Sequence, residues 1–161
     1  MQEVELYPPL KHFLTQQGYE VKGEVQHCDV IAVRGDDPVV VVELKLSLNM
    51  TVVLQAVDRL QISDTVYIGV PKSIVILKKH RKQIVKLLRM LGLGLIVIDP
   101  TAAVGSVDVL CDPGEYKPRQ EKQRRHRLLG EFMHRVGDPN AGGSTMRRGI
   151  MTAYRQKALA I

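Results

Sequence analysis

The sequence predicts an α/β protein: a mixed central sheet flanked by helices, in the order α-β-β-β-α-β-α-β, followed by a basic helical extension. Three observations carry this expectation. The run Val39-Val40-Val41-Val42 continues into Glu43-Leu44-Lys45-Leu46, as expected of a strand covered on both faces and central in its sheet. Amphipathic stretches separate the later strands, and strands separated by helices usually run parallel through crossover connections. Past Asp112-Pro113-Gly114 the composition turns basic.

Pro8 and Pro9 open a first helix from about Tyr7 to Gln17, with Leu10, Phe13 and Leu14 at helical spacing and Gly18 as its stop. Tyr19, Val21 and Val25 alternate with charged residues and mark a first strand. Val30 to Val33 marks a second, closed by the turn Gly35-Asp36-Asp37-Pro38. After the valine strand, Ser47 or Asn49 can cap a second helix, about Met50 to Gln61, with the apolar stripe Met50, Val53, Leu54, Val57 and Leu60. Asp64 to Val70 reads as a strand stopped by Pro71. A third helix runs from about Ile74 to Leu91, ended by Gly92. Leu95 to Ile98 is a fifth strand, and Val107 to Cys111 adds a sixth at an edge.

The 161 residues fit one domain with an appendage, a core over 1–112 and an extension over 113–161. With 45% apolar and 25% charged residues the composition is that of a globular chain, not of a disordered or fibrous one. Residues 1–112 hold 12 Lys/Arg and 13 Asp/Glu, whereas residues 113–161 hold 11 and 4, so the whole net charge of +6 originates in the last third. Such asymmetry suggests a polyanionic partner, the alternative being a solvated basic face. Cys28 and Cys111 make neither a disulfide framework nor a zinc site, and they read as small core residues in a reducing, cytoplasmic setting. The first residues lack a signal peptide's pattern and no apolar run is long enough to cross a membrane, so a soluble chain is expected. Ile161 follows a helical pattern with no stop signal, which suggests a fragment of a longer chain.

The chemistry concentrates on the second and third strands. Glu43 and Lys45, at i and i+2 of one strand, face the same side about 7 Å apart at Cα. Two charges after four valines demand partners. If Asp29 on the neighbouring strand faces the same way, two carboxylates and an ammonium meet in one cleft. Two hard oxygen ligands with room for waters suit Mg²⁺. Asp29 can also be read as a turn residue.

Asp29, a gap of thirteen residues, then Glu43-Leu44-Lys45 at the end of an apolar strand resembles the PD-(D/E)xK phosphodiesterase superfamily. That superfamily includes restriction endonucleases and archaeal Holliday-junction resolvases. The resemblance covers roughly Glu3 to Ile98 and is sharpest from Cys28 to Gln55. The whole chain also resembles an uncharacterised bacterial family assigned to that superfamily by motif, through Leu6-Tyr7-Pro8-Pro9, Gly23-Glu24-Val25, Gly142-Gly143-Ser144 and Thr152-Ala153-Tyr154-Arg155-Gln156.

The resemblance implies a restriction-endonuclease-like fold, Asp29 and Glu43 as ligands of Mg²⁺ or Mn²⁺, and Lys45 as the catalytic lysine. In the resolvase-like branch the helix after Glu-x-Lys supplies a Gln, matched by Gln55, and the first helix supplies an acid, matched by Glu5 or Glu3. Gln55 also shares an ordinary polar stripe with Thr51, Asp58 and Arg59. An acid near a helix start, such as Glu5, also complements the dipole. Glu24 alternates with Val21 and Val25 and is placed on their opposite face. Cys28 stands where the eponymous Pro would be. Many relatives in the superfamily act as dimers, so a homodimer is a further expectation.

Lys117, Arg119, Lys122, Arg124, Arg125 and Arg127 form a basic cluster leading into a helix through Leu128, Leu129, Phe132 and Met133. Gly137 to Gly143 is a loop, and a last helix follows. Arg147 and Arg148 fall in its first turn, behind Gly142-Gly143-Ser144, where backbone N–H groups could hold a phosphate. Lys and Arg contacts to phosphates supply sequence-independent affinity. Together these residues predict a metal-dependent nuclease acting on phosphodiester bonds of DNA, the alternative being a non-catalytic nucleic-acid-binding module on the same fold.

Overall fold

The computed structural model describes residues 1–25, 28–101, 106–117 and 119–135. A short 3-10 helix, Glu3–Leu6, leads into α1 (Tyr7–Gln16), which carries Pro in its first turn, where the missing N–H costs nothing. Then follow β1 (Glu20–Val25), β2 (Cys28–Val33), β3 (Val40–Leu44), α2 (Met50–Arg59), β4 (Thr65–Pro71), α3 (Val75–Met90), β5 (Gly94–Asp99) and β6 (Ser106–Cys111). Asn49, not Ser47, caps α2, its side-chain oxygen accepting the Val52 N–H at 3.1 Å.

The six strands lie side by side in chain order. β1, β2 and β3 are antiparallel neighbours, with Val30 opposite Val42 and Ile31 opposite Val41. β3, β4 and β5 are parallel, joined by the crossovers that α2 and α3 provide, and β6 returns antiparallel on β5 at the edge. The mixed sheet flanked by helices is consistent with a restriction-endonuclease-like fold. β3 is an interior strand, and all five of its residues are buried.

Strand alternation divides the interior into two apolar layers. Val21, Val30, Ala32, Val40, Val42, Leu44, Ile96 and Ile98 face Leu6, Leu10 and Leu14 of the N-terminal helices. Val41, Val66, Ile68, Val70, Leu95 and Val97 face Val52, Val53 and Ala56 of α2 and Leu77 and Leu88 of α3. The stripe expected for α2 is corrected here. Met50 and Leu54 are exposed, and the buried face runs through Val52, Val53 and Ala56, rotated by roughly a quarter turn.

Gly94 lies where β4, β5 and the end of β6 crowd together. A Cβ there would overlap the Tyr67 ring and stand 2.9 Å from Pro113 Cδ. The ring cannot easily withdraw, because Tyr67 Oη donates to Asp112 Oδ1 at 2.6 Å. Burial and that carboxylate together push the Tyr67 phenol up from its ordinary value. Gly94→Ala is therefore expected to cost about 1–3 kcal/mol through overpacking. A lowered urea midpoint at unchanged slope would show it, whereas an unmoved midpoint would mean the ring yields freely.

The chain divides into two compact units, Met1–Pro118 and Arg119–Ile161, the division falling beyond the composition change at Pro113. In the second unit α4 spans Lys122–His134, and none of its side chains is buried. The loop at Gly137 to Gly143, the Gly142-Gly143-Ser144 turn, Arg147, Arg148 and the last helix lie outside the described residues. Among the described residues no helix is long and apolar enough to cross a membrane.

Candidate active site

The site begins with an antiparallel register. The β2–β3 pairing of Val30 with Val42 runs on to set Asp29 opposite Glu43, while the β1–β2 pairing of Gly23 with Val30 and of Val25 with Cys28 leaves Glu24 between them. Asp29 and Glu43 thus form a cross-strand acidic row, and Glu24 sits beside it where the regular β1–β2 pairing is interrupted. Asp29 also acts on the backbone: its Oδ2 accepts the Leu44 N–H at 2.8 Å, so a side chain replaces a carbonyl at the end of the ladder.

Glu43 is 2% exposed and is the buried charged residue among the described core residues. Burial pushes its carboxyl up from the ordinary carboxylate value, Arg59 pulls it back, and the facing Asp29 raises it again, leaving it raised overall. Arg59 Nε donates to Glu43 Oε1 at 2.8 Å, and Nη1 lies 3.5 Å from Asp58 Oδ2. Arg59 is the partner of Glu43 that the sequence reading set in a polar stripe. The signal was present, since an acid behind four valines requires a cation. Rotating α2 onto Val52 and Ala56 brings Arg59, one turn beyond Ala56's neighbour Gln55, to the inner margin of the helix.

Lys45 N–H donates to Gly69 O at 2.9 Å, which extends the β3–β4 ladder through this residue. Alternation then keeps Lys45 on the face of Glu43. Its side chain is half-buried, and among the described residues it makes no ion pair. Gln55 is exposed on α2, one turn before Arg59.

A cleft of about 440 Å³ opens beside this row, lined by Glu3, Tyr7, Glu24, Asp29 and Leu44 among others. Of the two acids considered near the N-terminus, Glu3 lines this cleft. Glu5 is exposed, and its carboxylate accepts the Gln2 N–H within the first turn of helix. Glu24 lines the cleft as well. Its φ of 53° lies in the left-handed region, uncommon for a residue with a side chain, and breaks the alternation that set it apart from the site. His27 lies outside the described residues, and Cys111 is buried and free.

Asp29 and Glu43 suit a divalent cation by donor chemistry, being two hard carboxylates brought face to face. Among the described residues no third His, Cys, Asp or Glu converges with them on one point. Waters would have to complete such a coordination sphere. In the second unit Arg119, Lys122, Arg124, Arg125 and Arg127 are all exposed, with Arg124 Nε 3.6 Å from Glu121 Oε2. Four of them occupy the first two turns of α4, the end where a helix dipole disfavours cations.

The SPO1766 protein of unknown function from Silicibacter pomeroyi is similar in structure, with a TM-score of 0.53 and 18% identity over 83% of this chain and 85% of that one. At that identity the likeness concerns the fold alone. No curated protein matches the chain. Residues 96–161 match the family described as "Putative PD-(D/E)XK phosphodiesterase (DUF2161)", a stretch that begins after the acidic row. Taken with the mixed sheet and the Asp29, Glu43 and Lys45 set, this match supports the assignment of the chain to the PD-(D/E)xK phosphodiesterase superfamily.

Proposed function

We propose that the chain is a divalent-metal-dependent nuclease that hydrolyses phosphodiester bonds in DNA. The observation that carries this reading is the meeting of Asp29 and Glu43 across β2 and β3 with Lys45 on the same face. Asp29 and Glu43 would hold Mg²⁺ or Mn²⁺. When bound, such an ion polarises the phosphoryl group and acidifies water. Lys45 orients the attacking water and offsets the negative charge that grows on the phosphate. Arg59 holds the Glu43 carboxylate in place, and Gln55, one turn away on the exposed side of α2, meets a phosphate oxygen. Glu3 supplies the N-terminal acid at the cleft, the role that Glu5 also matched by position. The cations of α4 and Arg119 hold the DNA backbone, a role for which their placement against the helix dipole is a cost without structural return. Arg147 and Arg148 would add to that contact, and the two-cysteine composition fits a reducing cytoplasm.

The test pairs metal binding with cleavage. Calorimetric titration of the full chain with Mn²⁺ should show binding that Glu43→Ala abolishes, and plasmid or linear DNA should be nicked or cut with Mg²⁺ or Mn²⁺. Salt-dependent DNA binding without cleavage, in a chain that takes up no metal, would replace this reading with a non-catalytic binding module.

A further inference from the structure

The near-neutral sum over residues 1–112 conceals a segregated charge. α3 carries Lys78, Lys79, Arg81, Lys82, Lys86 and Arg89 and no acid at all. The rest of residues 1–112 holds 6 Lys/Arg against 13 Asp/Glu. All six α3 cations are exposed, and among the described residues none is in an ion pair; Arg89 instead stacks on the Tyr116 ring, 5.5 Å from its centroid. α3 kinks at His80 (φ −132°, ψ 30°), and beyond the kink Lys82 and Lys86 are one four-residue step apart, about 6 Å along the axis. Like charges at that spacing repel, so the helix loses stability by holding them.

A concave site adjoins this helix. Lys72, Lys78 and Arg81 surround a hollow of about 520 Å³, with Leu77, Val97 and Val109 as its floor and Asp108 at its rim. Lys72 directly follows β4, and its N–H bonds Ile98 O of β5 at 2.9 Å. Lys45 follows β3 by the same kind of bond to Gly69 of β4. Both lysines therefore emerge at the carboxyl ends of parallel strands, the end at which open α/β sheets bind ligands. From β3 to β6 the sheet measures three strand spacings, about 14–15 Å. DNA presents a phosphate every 3.4 Å of axis on each strand, so one duplex touching the acidic row reaches the α3 hollow within a half turn.

We propose that α3 and Lys72 form a second phosphate-backbone site, on the first unit itself, which seats duplex DNA beside the acidic row. This rests on the nuclease reading above. Charge complementarity decides the occupant. A membrane surface is the rival occupant, since Val75, Ile76, Leu87 and Met90 of α3 are exposed; the position of Lys72 at the same strand ends as Lys45 favours DNA.

The test is the salt dependence of binding between the full chain and a labelled 20-base-pair duplex, in EDTA so that nothing is cut. The triple variant Lys78→Gln, Arg81→Gln, Lys82→Gln should bind at least tenfold more weakly at 0.1 M salt, and the slope of log K against log salt should shrink by about 2.7, at about 0.9 per lost contact. A milder pair, Lys82→Gln with Lys86→Gln, should shrink it by about 1.8 and covers the case in which the triple variant unfolds. Unchanged slopes in both folded variants, with Mg²⁺-dependent cleavage intact, overturn the α3 site and leave the nuclease reading standing. Absence of cleavage and metal binding in the wild type, with the slopes falling as stated, sinks that reading and supports the α3 site as a DNA contact. Loss of binding to vesicles of phosphatidylserine, without change on DNA, overturns the proposal in favour of a lipid surface.

Discussion

Replacing Arg59 with alanine is expected to destabilise the chain by about 3 kcal/mol at pH 7, the lower end of the range for breaking a buried ion pair. Glu43 is 3% exposed at its side chain and Arg59 18%. Removing the guanidinium leaves a buried carboxylate facing Asp29 with its strongest compensating interaction gone. The lower end applies because Arg59 reaches solvent and because Glu43 can escape by taking a proton.

That escape gives the pH dependence a sign. Glu43's folded pKa lies above its ordinary value of 4.5, so over the interval between them the native state holds a proton that the unfolded chain has released. Stability then falls as pH rises from about 4.5 through the folded value. Arg59 opposes this shift, so its removal widens the interval, and the deficit of Arg59→Ala should be small at pH 4 and large at pH 7. Urea midpoints measured at both values check it. Adding Glu43→Gln to Arg59→Ala should recover part of the loss, because a neutral amide costs less to bury than a charge. Equal stability of Arg59→Ala and wild type at pH 7 would show that the pair contributes nothing.

The second large effect is on catalysis. Lys45→Ala should lower the rate of DNA cleavage by about 10²–10⁴-fold, the usual contribution of a positioned proton-transfer or charge-stabilising group. Stability should change by no more than about 0.5 kcal/mol, as for substitutions outside packed or paired positions. The Lys45 backbone is held by Gly69 O at 2.9 Å whatever its side chain, and its side chain makes no ion pair among the described residues. Nicking rates of supercoiled plasmid at saturating Mg²⁺, with Mn²⁺ affinity as a control, separate lost chemistry from lost metal. A rate within threefold of wild type would end the assignment of Lys45 to the reaction. Lys45→Arg should not restore full activity, because a planar guanidinium does not take the place of a compact ammonium.

How far the sequence was legible depends on how one-sided each pattern is. β3 could be read directly, because four valines admit one environment, and its interior position followed. α1 was bounded by Pro8 and Pro9 at its start and by Gly18, with φ of 90°, after its end. α2 was placed correctly but its face was misread. Met50, Val52, Val53, Leu54, Ala56 and Val57 cover most of its circumference, so periodicity selects no unique buried side. The choice was made by packing against Val41, Val66 and Ile68. Glu3 could not be distinguished from Glu5 by position, because the 3-10 turn that separates them is a local tightening without a propensity signal.

The sequence by itself determined the mixed α/β class, the strand and helix order of the first unit, and the pairing of Glu43 with Lys45 on one strand face, since these follow from periods of 2 and 3.6 along the chain. Tertiary structure alone decided which charges meet. Asp29 stands opposite Glu43 because of the β2–β3 register, Arg59 reaches Glu43 because α2 turns Val52 and Ala56 inward, and α3 gathers six cations beside a hollow completed by Lys72. The physical reason is range. Backbone periodicity is a local property, whereas the compensation of a buried charge depends on groups far apart in sequence, and only the packed sheet brings them within a few ångströms.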